Sequence, residues 1–116
     1  MTASAKPRFK LTREQRLRGK ERIDEIFKGG KRRTAHPLTV HVMRREDNGA
    51  SRIGISIGRR CGTAVRRNLI KRRLREAFRM MQHDVPPGMD YLIVVKPHEP
   101  LEIAGYQSRL RQLMPS

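Results

Sequence analysis

Between Gly58 and Arg79 the sequence reads GRRCGTAVRRNLIKRRLREAFR, nine Lys or Arg against one acid, Glu76, in what also reads as one continuous helix. A helix this charged must still pack, and that demand restricts the fold more than any other feature of the chain. At about 100° per residue, Leu69, Ile70, Leu74, Ala77, Phe78 and Met81 fall on one broad side. Arg67, Asn68, Lys71, Arg72, Arg75 and Arg79 fall on the other. Only Arg66 and Arg73 land in the apolar sector, where their stems can run along apolar surface to water. One face therefore packs while the other stays wet and cationic. A merely solvated face is the rival reading, but solvated faces mix signs and this one does not.

The rest of the charge has the same character. The net charge is +16. Residues 1–33 contribute +8 of it and residues 59–79 the other +8, while the remainder is neutral. Excess charge confined to two segments is the mark of a binding surface rather than of general solubility. Arg outnumbers Lys twenty to seven, which favours forked contacts to phosphate over point charges. The expected partner is a polyanion.

At 116 residues the chain is one domain. A hydrophobic fraction of 36% without Trp allows a thin core. One cysteine, Cys61, excludes an internal disulfide and a cysteine metal cluster, and suits a reducing cytosol. Between Arg60 and Gly62 it reads as a small residue at the helix entry rather than a reactive thiol. No apolar run approaches a membrane span, and the N-terminus lacks the apolar stretch of a secretory signal. Residues 1–15 are expected to be a basic arm, and 16–116 the folded domain.

Helical spacing from Leu17 through Ile23, Ile26 and Phe27 predicts a first helix, stopped by Gly29-Gly30. LTVHVM (38–43) and SRIGISIG (51–58) alternate as half-buried strands, and Asn48-Gly49 between them predicts an antiparallel hairpin. The basic helix runs from about Thr63 to Met81, and VPPG (85–88) ends it. YLIVV (91–95) reads as a strand buried on both faces. A last amphipathic helix follows through Ile103, Tyr106, Leu110, Leu113 and Met114. The order α-β-β-α-β-α, an antiparallel hairpin and then a β-α-β crossover, gives an α+β fold with helices on one sheet. The segment RRTAH (32–36) and the N-terminal arm remain open between phosphate contacts and a tail.

GISIGRRCGTAVRRNLIKRRLREAFR resembles the signature of the protein subunit of bacterial ribonuclease P. Gly54, Ser56, Gly62, Ala64, Val65, Arg67, Asn68, Lys71, Arg72, Arg75, Glu76 and Phe78 fit it without a gap. RLRGKERIDEIFKGGKR (16–32) is similar to the family's first helix, and DYLIVVKP (90–97) to its third strand. Four positions depart from the pattern. Leu69 replaces an Arg, Ile23 the first cleft aromatic, Gly58 the second Ser of a pair, and Cys61 an aliphatic residue. The resemblance implies a subunit that binds a large catalytic RNA. Together they remove the 5′ leader of precursor tRNA with Mg²⁺ as the metal cofactor, in the cytoplasm and with no protein partner. It implies RNA-subunit contacts at Arg67, Asn68, Lys71, Arg72 and Arg75. It also implies a leader cleft lined by Ile23, Phe27, Thr39, His41, Ser56, Arg59 and Lys96, and a left-handed β-α-β crossover, against the usual right-handed rule. Strand alternation separately sets Thr39 and His41 on the face opposite Val40 and Val42.

Two rivals stand against this. Autonomous RNA cleavage would use paired His or clustered carboxylates, but His36, His41, His83 and His98 and the eleven acids are scattered. A non-catalytic rRNA- or DNA-binding protein would have such a basic helix but no reason to match the ordered set from Gly54 to Phe78.

Overall fold

The computed structural model describes residues 15–47 and 49–114. Asn48 and the expected arm up to residue 14 lie outside the described residues. Gln15, assigned to that arm from sequence, is buried, and its Nε2 donates to Gln82 Oε1 at 2.8 Å.

The first helix, α1, spans Lys20–Gly29, three residues later than the apolar spacing suggests. Leu17 is extended instead, its N–H donating to the Ile53 carbonyl at 2.9 Å. Gly19, at φ 93°, makes the turn into the helix, a conformation that costs a side-chain-bearing residue energy. Glu21 in the first turn and Lys28 in the last complement the helix dipole.

Four strands follow, β1 Lys31–Ala35, β2 Leu38–Arg44, β3 Arg52–Ile57 and β4 Met89–Val95. They form one sheet in the order β1-β2-β4-β3. The expected hairpin across Asn48-Gly49 is therefore absent. The tight hairpin is β1–β2, through His36-Pro37 with its cis peptide bond, and pairs Lys31 with Val42 and Ala35 with Leu38. β4 enters between β2 and β3, antiparallel to the first (Val40↔Ile93) and parallel to the second (Ile55↔Ile93). The reason lies in β4 itself. Residues Asp90 to Ile93 are all buried, and a strand apolar on both sides gains most from the middle of a sheet. β1 carries KRRT exposed and takes an edge, where cations also discourage further pairing.

The helix α2, Ala64–Met81, is capped by Thr63, whose side-chain oxygen accepts the Arg66 N–H. It packs on one face of the sheet with α3, Ile103–Leu113. Ile70, Leu74, Ala77, Phe78 and Met81 from α2, and Tyr106, Leu110 and Leu113 from α3, meet Leu38, Val40, Tyr91, Ile93 and Val95. Leu69 alone of the expected apolar side is only half-buried. The other sheet face holds a smaller cluster of Leu17, Ile26 and Leu92, which fastens α1. Gly54 makes room for it, since a Cβ there would stand 3.1 Å from Leu17 Cβ.

Polar contacts fasten α1 as well. The carboxylate of Asp90, fully buried on β4, receives Arg52 Nε and Nη2 at 2.6 Å each and Arg22 Nε at 2.9 Å. Arg22 also donates to the Arg44 carbonyl at 3.0 Å. Burial alone would raise the Asp90 carboxyl, but the hydrogen bonds from Arg52 and Arg22 outweigh it and hold the group below the usual carboxylate range.

Candidate functional site

Two surfaces gather the residues singled out from sequence. The first is the solvent side of α2. Of the nine basic residues in 59–79, four are tied to the protein. Arg66 pairs with Glu99 at 2.6 Å, and Arg73 Nη1 donates to the Leu101 carbonyl at 2.7 Å. These are the two that fall in the apolar sector, and they end on the 99–101 segment. Arg67 Nε donates to the Gly62 carbonyl at 3.2 Å, and Arg79 pairs with Glu76. That pair holds the Glu76 carboxyl below its ordinary value, chiefly through the Arg79 hydrogen bond.

Arg59, Arg60, Lys71, Arg72 and Arg75 have no side-chain hydrogen bond or ion pair among the described residues, and Asn68 is exposed beside them. The first turn of α2 contains no acid, so the positive end of the helix dipole adds to theirs. Unneutralised like charge destabilises a fold, and anions that bind only the folded chain stabilise it by mass action. Sulfate or pyrophosphate at roughly ten times its Kd should add about 1.4 kcal/mol, close to 6 °C in Tm for a chain of this size. A thermal melt at matched ionic strength checks this, since an equal shift with chloride would reduce the effect to screening.

The second surface is the sheet face that α1 leaves uncovered. Register places Thr34, Thr39, Val94 and Ser56 in one row across all four strands, and Arg32, His41, Leu92 and Gly54 in the next. A groove of about 460 Å³ opens here, lined by Phe27, Thr39, His41 and Lys96 from the sequence-derived set. It adds Arg32, Val94 and Lys28, which the sequence reading had not chosen. Period-two spacing from Leu92 reaches Val94, whereas Arg32 was read only within RRTAH, open between phosphate contacts and a tail, and its place in the groove was illegible while its strand was unrecognised. The groove's cations, Lys28, Arg32 and Lys96, face no lining acid.

The other three residues expected in this cleft sit apart. Ile23 is half-buried and packs into the Leu17–Ile26–Leu92 cluster, so it supports α1 from below. Ser56 is exposed at the far end of the Thr39 row, and Arg59 lies in the turn after β3, Arg59–Cys61.

His41 differs from the polar platform expected of it. Its ring stacks beneath Phe27, with centroids 4.8 Å apart and planes at 25°, and is only 5% exposed. Phe27 remains 57% exposed and offers the groove's outward aromatic face. Burial, and after it the charge of Arg32, lowers the His41 pKa, which favours the neutral ring. Its Nδ1 has no hydrogen-bond partner among the described residues.

The remaining histidines lie in different neighbourhoods. His36 is in the β1–β2 turn, and His98 Nε2 lies 2.7 Å from the Tyr106 hydroxyl. Among the described residues no group of three or more His, Cys, Asp or Glu is placed to hold a metal ion. Asp90, the most buried carboxylate, is already committed to two arginines.

Comparison with known proteins agrees with the sequence motif. Residues 11–115 match the family model of Ribonuclease P. The ribonuclease P protein component of Brevibacillus brevis is 34% identical over 87 residues, covering 75% of this chain and 69% of that one. That of Geobacillus thermodenitrificans is 30% identical over 104 residues, covering 90% and 84%. The RNase P protein from Thermotoga maritima superposes with a TM-score of 0.76 at 30% identity, covering 85% of this chain and 94% of that one. The Staphylococcus aureus RNase P protein, at 23% identity and a TM-score of 0.76, shares the fold. Motif, sheet order and a match over nearly the whole length converge, and the chain belongs to the ribonuclease P protein family.

Proposed function

We propose that this chain docks on a catalytic ribonuclease P RNA through the α2 face, at Arg67, Asn68, Lys71, Arg72 and Arg75. In the same reading the groove beside α1 holds the single-stranded 5′ leader of precursor tRNA. The observation that carries the reading is the division of labour on α2. Its apolar side is buried in the core, while Lys71, Arg72 and Arg75 have no acid partner among the described residues, a row of charge that a phosphate backbone would neutralise. The groove suits an unpaired strand, because unstacked bases need an aromatic or flat platform and phosphates need cations. Phe27 supplies the first, and Lys28, Arg32 and Lys96 the second.

Catalysis in this proposal belongs to the RNA. The described side chains do not fit a Mg²⁺ site of their own, so the Mg²⁺ is proposed to bind the RNA, and no step is routed through a protein-held ion. The protein's part is to position the leader and to screen the repulsion between two RNAs. Among the described residues no helix is long and apolar enough to cross a membrane, and the proposed place of action is the cytoplasm.

The test is reconstitution with a ribonuclease P RNA, measuring 5′-leader removal at low Mg²⁺ with and without the chain. No stimulation would sink the proposal. The leader assignment has its own test. The holoenzyme should bind precursor tRNA more tightly than mature tRNA, and Phe27→Ala with Lys96→Ala should shrink that ratio. With one exposed aromatic, the loss from stacking is about 1.4 kcal/mol, or tenfold. Paired binding curves for the two tRNAs read it directly, and an unchanged ratio would place the leader elsewhere.

A further inference from the structure

A second groove, also of about 460 Å³, opens at the corner where β1 begins. Its floor is apolar, formed by Val42, Met43, Met89 and Leu113, and Lys31, Arg33 and Arg44 stand around it. No acid lines it. The β1 register explains the arrangement. Lys31 and Arg33 pair with Val42 and Val40 and share the α3 side of the sheet, whereas Arg32 between them points into the groove on the α1 side. Lys31 and Arg33 are two residues apart on one strand, roughly 7 Å. Arg44 stands across from Met89 at the last pair of β2 and β4, two residues along β2 from Val42, the partner of Lys31.

The two grooves are neighbours along the chain. One is lined by Lys28, Gly30 and Arg32, the other by Gly29, Lys31 and Arg33. The α1–β1 junction is thus a ridge with cations alternating to either side. Among the described residues β1 is an edge strand, paired with β2 alone.

We infer that the leader track does not end in the groove under Phe27. The distal part of a longer leader crosses the α1–β1 junction and lies in the second groove, with phosphates on Lys31, Arg33 and Arg44 and a base on the apolar floor. This rests on the leader reading above and extends it. Charge complementarity and continuity with the first groove favour a nucleic-acid strand over an apolar peptide, which has no use for three cations that lack a partner among the described residues. The pattern KRR at the start of an edge strand is then functional on both faces, Arg32 for the proximal leader and its neighbours for the distal one.

The experiment uses the reconstituted holoenzyme and a series of precursor tRNAs whose leaders lengthen one nucleotide at a time. The variant is Lys31→Ala with Arg33→Ala, both exposed, so the fold is not at risk. For the parent, affinity should rise with leader length in two stages. In the variant the first stage should survive and the second should vanish. Two single-strand phosphate contacts are worth about tenfold at moderate salt, with a salt slope shallower by roughly 1.4. Binding of mature tRNA and of the shortest leaders should be unchanged. A variant that keeps the whole length-dependent gain overturns the inference. So does one whose affinity for the RNA subunit falls while the gain persists, because the groove would then face that RNA. A parent that does not discriminate precursor from mature tRNA at all overturns the leader reading itself, and a parent whose gain stops after the first stage overturns only the second groove.

Discussion

Replacing Asp90 by Ala should lower the folding stability by about 3 kcal/mol, or roughly 12 °C in Tm for a chain of this length. No comparable loss is expected from any surface ion pair. Asp90 is fully buried and answers two arginines that arrive from different elements, Arg22 on α1 and Arg52 on β3. Removing it leaves two guanidinium groups, each less than a quarter exposed, without the anion that brought them together. Exposed pairs such as Arg66–Glu99 contribute at most about 1 kcal/mol. The pH dependence has a defined sign. Because the folded-state pKa of Asp90 is depressed, its contribution is complete above the ordinary carboxylate value of about 3.9. It is lost as the pH falls through the lower value of the folded state. Chemical denaturation of parent and Asp90→Asn across that range should give curves that converge in acid, and parallel curves would show that the charge plays no part.

The second large effect concerns RNA. Converting Lys71, Arg72 and Arg75 together to Ala should weaken binding to a ribonuclease P RNA by about 100-fold, if two of the three make charge-assisted contacts worth about 1.5 kcal/mol each. The slope of log affinity against log salt should become shallower by roughly one per lost phosphate. The three side chains have no partner among the described residues, so the melting temperature should hold or rise slightly as repulsion is relieved. A filter-binding series over several salt concentrations separates the outcomes. Unchanged affinity and slope would remove this face of α2 from the interface.

The contrast between what the sequence made legible and what it hid follows from where side chains do their work. The helix α2 was readable because both of its faces leave a mark, apolar residues at helical spacing on one side and unmixed charge on the other. The strand at 91–95 was readable as doubly buried, and that property already implied a central place in the sheet. The hairpin signal at Asn48-Gly49 competed with it and won the reading wrongly, because a turn dipeptide reports only on its immediate neighbours. Strand order is decided by burial across the whole sheet. β1 left no mark at all, since KRRTA has neither alternation nor apolar content, and an edge strand needs neither. Missing it also hid the place of Arg32, one of the three cations in the groove. Phe27 was found from the family's motif, but that it lies over His41 depends on α1 crossing the sheet, which no local pattern encodes.

The central position of β4 bears on how the molecule comes into being. Residues 89–95 lie between two strands that were both made earlier, so during synthesis the sheet is completed from its middle. Until residue 95 has left the ribosome, β3 lacks its neighbour in the sheet, and the rows containing Thr39 and His41 stop at β2. The basic segment of α2, by contrast, has already emerged by residue 81. A nascent chain of this topology therefore exposes its charge to surrounding nucleic acid before it has a finished fold, and non-local pairing of this kind is slow. An RNA that engages the helix at that stage meets a partner still being assembled, and the groove beside α1, where the leader is proposed to lie, comes into existence only afterwards.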